Sequence, residues 1–284
     1  LSFVDIVAGR YHFCGLTSAG KAYCWGRNNA GQIGDNTSGS PANDRLTPTA
    51  VVGPGGGPAL NFTKITAAGN YTCGLIAGGT AYCWGSNSGE IGDNTTTLRL
   101  TPTAVLGPGG GPALIYKDIS AGGLLTCGLV STGEAYCWGR NSFGQVGNNS
   151  TTDAISPAAV VGAGGVGAPL QFSKIMVGNK RSSNVGTAVC ALTDSKELYC
   201  WGYTELTASN QPMYNQGGMT PRRIALNTSG ATLNMEDFYV GFTYTRGLSA
   251  PSVYTCNDLW SAGTKVPEKK YYYAYQSAAP VGAC

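Results

Sequence analysis

Tyr23-Cys24-Trp25-Gly26 returns as Tyr82-Cys83-Trp84-Gly85, as Tyr136-Cys137-Trp138-Gly139 and as Tyr199-Cys200-Trp201-Gly202. The neighbouring residues return with it. Thr47-Pro48-Thr49-Ala50-Val51 reappears as Thr101-Pro102-Thr103-Ala104-Val105, and in looser form as Ser156-Pro157-Ala158-Ala159-Val160. Gly53 to Leu60 reappears as Gly107 to Leu114. A fixed motif every 54 to 63 residues marks a repeat architecture, and this period lies above that of two-helix repeats. A fifth, divergent copy is expected, with Arg246-Gly247-Leu248 in the place of Cys14-Gly15-Leu16 and Tyr254-Thr255-Cys256 following. The expected units are 1–46, 47–99, 100–155, 156–219 and 220–284 of one repeat domain, residues 1–284.

Within a unit the residues read as four short strands. In the second unit these are Phe62 to Thr66 (running on to Ala68-Gly69), Tyr71 to Ile76, Thr80 to Gly85 and Thr101 to Leu106. Gly and Asn punctuate them every ten or so residues, as strand termini require. Gly contributes 43 of 284 residues, about double the usual share. Radial repetition of four-stranded sheets makes a propeller. The expected fold is therefore all-β, a β-propeller of four-stranded antiparallel blades in about five units. It closes on itself or joins a neighbour by terminal strand exchange.

Eight of the ten cysteines form pairs ten residues apart: Cys14/Cys24, Cys73/Cys83, Cys127/Cys137 and Cys190/Cys200. Placing Cys14 opposite Cys24 puts Leu16 opposite Ala22, Thr17 opposite Lys21, and leaves Ser18-Ala19-Gly20 as the loop. A three-residue loop ending in Gly is a type I turn with a left-handed bulge residue. Ala77-Gly78-Gly79 and Ser131-Thr132-Gly133 repeat it, whereas Asp194-Ser195-Lys196 puts Lys in the left-handed place. The cysteines then face each other at a non-hydrogen-bonded position, where Cα atoms approach to about 4.5 Å, within disulfide range. Zinc ligation is the weaker reading, since the chain has one His; buried thiols are the remaining alternative. Disulfides place the chain in an oxidising compartment, extracellular or at the cell surface. Cys256 and Cys284 are left to pair with each other or with another chain.

Cys73-Gly74-Leu75, Ala81-Tyr82-Cys83-Trp84-Gly85-Ser86-Asn87 and the turns Gly31-Gln32-Ile33-Gly34, Gly89-Glu90-Ile91-Gly92 and Gly144-Gln145-Val146-Gly147 resemble the repeat of the regulator of chromosome condensation family. The resemblance is specific over residues 1–160 and thins after 202. It implies a propeller whose motif residues build blades and are not catalytic. The family includes a nuclear exchange factor and a secreted β-lactamase inhibitor, so it does not imply one activity. The usual ring has seven blades, and this chain supplies about five.

Charged residues are only 12% of the chain, and the net charge of +3 is spread without a basic block. That argues against a nucleic-acid surface, which needs clustered positive charge, and no apolar run reaches membrane-helix length. His12 sits at a repeat-locked position and reads as structural. Gly85-Ser86-Asn87-Ser88-Gly89 superficially resembles a nucleophile elbow with Asn in the Ser place. Glu90, Glu134 and Glu197 are scattered, so no carboxylate pair for glycoside chemistry is visible. No catalytic residue, metal site or cofactor is expected. Sequons at Asn36, Asn61, Asn70, Asn94, Asn148, Asn149 and Asn227 are candidate glycan sites, though a Thr/Asn-rich chain produces several by composition.

The first unit, aligned from Leu1 to Gly9 on Phe62 to Gly69, reads as lacking the Thr-Pro-Thr-Ala-Val strand. Ser277 to Gly282 faintly echoes that strand, so closure of one ring or donation to the next molecule is expected. Leu1 is no initiator Met, which points to a removed leader or a trimmed chain. Lys269-Lys270-Tyr271-Tyr272-Tyr273-Ala274-Tyr275 puts Tyr271, Tyr273 and Tyr275 on one strand face and Tyr272 on the other. With Pro280 and Val281 these tyrosines are candidate interface residues, or else they pack on the fifth blade. The expected function is a non-enzymatic extracellular structural subunit of an appendage, fibril or layer, whose partners are other copies of itself. The alternative is a soluble secreted protein-binding propeller, an enzyme inhibitor or adhesin, acting on another extracellular protein through loops on one face.

Overall fold

A computed structural model describes residues 1–178, 187–203, 218–223, 238–245 and 248–255, the last two stretches as backbone only. Four sheets of four antiparallel strands follow one another along the chain. The first is β1 (Asp5–Ala8), β2 (His12–Leu16), β3 (Ala22–Gly26) and β4 (Arg45–Ala50). The second is β5 (Phe62–Ala68), β6 (Tyr71–Ile76), β7 (Ala81–Gly85) and β8 (Arg99–Ala104). The third is β9 (Tyr116–Gly122), β10 (Leu125–Val130), β11 (Ala135–Gly139) and β12 (Ala154–Ala159). The fourth is β13 (Phe172–Val177), β14 (Ala188–Thr193), β15 (Leu198–Gly202) and β16 (Gly218–Arg223). A hairpin of β17 (Phe238–Thr245) and β18 (Leu248–Thr255) comes next, with β17 beside β13 and β14. Among the described residues there is no α-helix.

The first strands β1, β5, β9 and β13 lie side by side, so the sheets stand as successive propeller blades with their fourth strands outermost. Pro48, Pro102, Pro157 and Pro221 all sit in those outer strands. An outermost strand has one unpaired edge, where a missing N–H costs nothing and discourages sheet-to-sheet aggregation.

The central hairpin of each blade has the register derived from the cysteine spacing. Cys14 faces Cys24 and Leu16 faces Ala22, and Thr17 N donates to Lys21 O at 3.0 Å. The loop residues Gly20, Gly79 and Gly133 have φ of +78°, +83° and +91°, and Lys196 takes the same left-handed place at +66°. Disulfides join Cys14–Cys24, Cys73–Cys83, Cys127–Cys137 and Cys190–Cys200, each with Cα atoms 4.1 Å apart.

One expectation is corrected. The first blade does not lack a strand, because Thr47–Ala50 belongs to β4, where Tyr23 faces Ala50 and Cys24 faces Thr49. Blades therefore divide after the Thr-Pro-Thr-Ala motif, not before it. The expectations for Cys256, Cys284, Asn227, Tyr271, Tyr272, Tyr273, Tyr275, Pro280 and Val281 lie outside the described residues.

The core is not inside the blades but between them. Leu16, Cys24, Ile33 and Val51 of the first blade bury Phe62, Ile65 and Trp84 of the second. Leu75, Ile91 and Val105 do the same for Tyr116, Ile119 and Trp138. Leu129, Val146 and Val160 do it for Phe172, Ile175 and Trp201.

Candidate functional site

Each blade has a leading face, on the side of the preceding strands of the chain, and in the first three blades the opposite, trailing face carries a Gly-x-x-Gly turn. The turn is held by side chains supplied by its own loop. Asn28 Oδ1 accepts from Ile33 N at 3.1 Å, and Asn28 Nδ2 donates to Asp35 Oδ1 (3.2 Å) and to Thr37 O (3.1 Å). Asp35 in turn receives Arg45 Nε at 2.6 Å, tying the loop to β4. Asn87, Asp93 and Arg99 repeat the arrangement in the second blade, and Asn141 with Asn148 and Ser150 in the third.

So fixed, the turn aims one backbone carbonyl at the next blade. Gln32 O accepts from Trp84 Nε1 and Thr72 Oγ1, both at 3.0 Å. Glu90 O accepts from Trp138 Nε1 and Thr126 Oγ1, both at 2.9 Å. Gln145 O accepts from Trp201 Nε1 at 3.1 Å, with Val189 in the threonine place. The last Gly of the turn lies against the indole. A Cβ on Gly34, Gly92 or Gly147 would stand 2.6 Å from Trp84, Trp138 or Trp201 Nε1, and φ is near +78° at all three. Further out, Asn36 N donates to Leu100 O (3.2 Å), Asn94 N to Ile155 O (3.0 Å) and Asn149 N to Met219 O (2.9 Å).

Among the described residues, no turn lies against the same leading-face positions of the first blade. Ile6 is 51% exposed, where Ile65, Ile119 and Ile175 are 2% exposed or less. Phe13 is 47% exposed, where Thr72, Thr126 and Val189 are fully buried. Leu46 is 95% exposed, and Thr47 and Pro48 are exposed where Thr101 and Pro102 are buried. Trp25 is half-buried between Phe3 and Phe13, stacked at centroid distances of 5.7 and 6.0 Å. No described residue accepts its indole N–H. A contiguous apolar patch on a protein surface marks a contact site, and burying each such side chain is worth about 1.5–3 kcal/mol.

The residues considered for chemistry are built into joints. His12 is buried and bonded to Thr72 Oγ1 at 2.9 Å, and burial pushes its imidazole down to about 4, so the ring is neutral at pH 7. Asn87, in the elbow-like sequence, accepts from Gly89 N at 2.9 Å and holds the turn. Glu90 is buried, and that desolvation pushes its carboxyl up to about 7. Glu197 pairs with Arg223 at 2.8 Å and Glu134 lies in a different blade. Among the described residues no group of three or more His, Cys, Asp or Glu could hold a metal ion, and no helix is long and apolar enough to cross a membrane.

Of the sequons, Asn36, Asn94 and Asn149 occupy one equivalent, exposed, left-handed position with φ of 65°, 61° and 59°. Asn148 accepts from Asn141 Nδ2, Asn61 is exposed, and Asn70 has a buried Oδ1. Sequence reasoning missed the patch of Phe3, Ile6, Phe13 and Leu46. The signal was present in the repeat alignment for Phe3 and Ile6, which fall where the later units bury an apolar group.

Residues 3–32 and 116–145, and again 19–75 and 132–181, match the Regulator of chromosome condensation (RCC1) repeat. The chain is 29% identical over 161 residues to the probable E3 ubiquitin-protein ligase HERC4 of Homo sapiens, covering 56% of this chain and 14% of the ligase. It is 26% identical over 200 residues to the ultraviolet-B receptor UVR8 of Arabidopsis thaliana, covering 70% of this chain and 41% of the receptor. Yeast RCC1 (Prp20), solved bound to Kap60, shares the fold with a TM-score of 0.64 at 18% identity, over 84% of this chain and 52% of that one. The chain thus spans about half of that solved structure and less than half of these two curated relatives. With its blades, its turns and its motif in phase, the chain belongs to the regulator of chromosome condensation repeat family.

Proposed function

We propose that this chain is a non-enzymatic, protein-binding propeller that serves as an extracellular structural subunit. It is one repeat domain of five units, joined to other copies or to another extracellular protein through the leading face of its first blade. The observation that carries this is the exposure of Ile6 and Phe13 and the half-exposure of Trp25, whose equivalents are buried at the three joints among the described residues. The four disulfides support an oxidising location. The Kap60 complex of the yeast relative supports use of the fold in binding proteins. Because β4 already completes the first sheet, assembly is assigned to this face and not to strand donation. Sedimentation of the unreduced protein with negative-stain electron microscopy tests the reading. Species larger than 29.2 kDa are expected; compact single particles at every concentration contradict it.

A further inference from the structure

We propose that pH selects which joint between blades opens: acid loosens the first, alkali loosens the second, and the third is indifferent. The joints are numbered from the contact of the first blade with the second, and the inference does not rest on the assembly reading. Three positions recur at every joint. They are a residue in the second strand of the earlier blade, its partner on the next blade, and the second residue of the turn that seals them. The first joint has His12, Thr72 and Gln32 there, and the second has Tyr71, Thr126 and Glu90. The third has Leu125, Val189 and Gln145, none of which ionises. Burial holds the Tyr71 phenol protonated well into alkali. His12 and Glu90 are therefore the members of this set that change charge between acid and mildly alkaline pH.

Each of the two lacks a partner for the charge it would acquire. Thr72 Oγ1 gives its proton to Gln32 O at 3.0 Å, so His12 Nε2 donates to Thr72 Oγ1 at 2.9 Å and Nδ1 carries the lone pair. Nδ1 is buried with no partner among the described residues, and Gly9 lies against the ring, where a Cβ would stand 2.1 Å from Cε1. No charged side chain acts on this imidazole; burial alone holds it neutral. A proton added at Nδ1 makes a buried cation whose new N–H has no acceptor. Glu90 is the reverse case. Its Oε2 takes the Ser88 N–H, and its Oε1 has no partner. The titratable groups that face it are Tyr71 from β6 and Asp153 just ahead of β12, and neither is a cation. Lys64 crosses the same joint but pairs with Asp118. Loss of the Glu90 proton therefore leaves an anion sealed beside Trp138. At both joints opening lets water reach the charge, so ionisation lowers the cost of opening. Units of a repeat array contact only their neighbours, which lets one joint open while the others stay shut.

Each joint carries its own reporter, because the trailing face it covers holds one disulfide. Cys14–Cys24 is buried under the second blade, Cys73–Cys83 under the third and Cys127–Cys137 under the fourth, all at 0% exposure. The test treats the full oxidised chain with a phosphine reductant under native conditions from about pH 4.5 to 8.5, then alkylates it and maps initial rates by mass spectrometry. The pH dependence of the reductant cancels in the ratio of two disulfides from one tube. Complete hydration of either charge corresponds to roughly a 100-fold change in the opening constant over this range. Relative to Cys127–Cys137, reduction of Cys73–Cys83 should rise at least ~10-fold toward the alkaline end, and that of Cys14–Cys24 at least ~10-fold toward the acid end. Glu90→Gln should abolish the alkaline rise alone, and His12→Leu the acid rise alone. Ratios that stay constant across the range, whether the three disulfides react together or not at all, overturn the proposal. Rises that persist in the two variants overturn it as well, since the charges would then lie elsewhere.

Discussion

Replacing Glu90 by Gln should stabilise the protein at neutral and alkaline pH and leave it unchanged in acid. Glu90 stands where the other turns have Gln32 and Gln145, is fully buried, and has one carboxylate oxygen, Oε1, with no partner. Gln32 Oε1 accepts from Ala30 N at 2.8 Å and Gln145 Oε1 from Phe143 N at 2.7 Å, so a neutral amide already serves this site twice. Glu90 makes the equivalent contact with Ser88 N, while Tyr71 and Asp153 face it without compensating its charge. Burial raises its carboxyl from 4.5 to about 7. The folded state therefore prefers the neutral acid. The stability this group contributes is complete below about pH 4.5 and is lost as the pH rises through about 7. The gap corresponds to on the order of 3 kcal/mol. Urea unfolding of the unreduced wild type and E90Q from pH 4 to 9 should give a difference below about 0.5 kcal/mol at pH 4, growing to about 2–3 kcal/mol at pH 8. A difference independent of pH would refute the reasoning, as would none at pH 8.

His12 should act in the opposite sense. Burial lowers its folded value to about 4, so its contribution is present above about pH 6.5 and lost as the pH falls toward 4. His12→Leu, with the residue that Leu125 supplies in the third blade, should flatten the acid limb of an unfolding-versus-pH curve. Retention of the full acid slope would count against a buried neutral imidazole. Gly92→Ala puts a Cβ 2.6 Å from Trp138 Nε1 at a φ of +76°; it should cost at least ~2 kcal/mol and raise hydrogen exchange at the joint of the second and third blades. An unchanged denaturation midpoint would contradict the joint. Peptide mapping without reduction should recover linked Cys14/Cys24, Cys73/Cys83, Cys127/Cys137 and Cys190/Cys200 pairs. Each closes a loop of about 11 residues worth roughly 2.5–3 kcal/mol. Free thiols at those positions would remove the support for an oxidising compartment.

Local rules carried the blade interior into view. The ten-residue cysteine spacing sets a register, the register sets a three-residue loop, and the loop needs a left-handed third residue. Gly20, Gly79, Gly133 and even Lys196 supply it. What local rules do not reach is which sheet a motif joins. Thr47–Ala50 lies 21 or more residues beyond the end of its partner strand β3 and before the next blade. Read by order alone it falls to the wrong unit, and an apparent gap opens in the first. The open face escaped for a related reason. Ile6 and Ile65 are the same residue in the same strand position, and only the presence of a preceding blade makes one buried and the other exposed. Glu90 differs from Gln32 by one atom type, and its cost emerges only once the turn is known to be sealed by Trp138.

The central claim is that the Trp25 face is a contact surface, and hydroxyl-radical footprinting across a concentration series tests it most directly. In dilute, monomeric protein Phe13, Trp25 and Leu46 should be oxidised readily while Trp84, Trp138 and Trp201 are protected. As the concentration passes through the association range, protection should spread to Phe13, Trp25 and Leu46 and leave the other tryptophans unchanged. Oxidation of Trp25 at one constant rate from monomer to assembly, or full protection already in the monomer, would contradict the account.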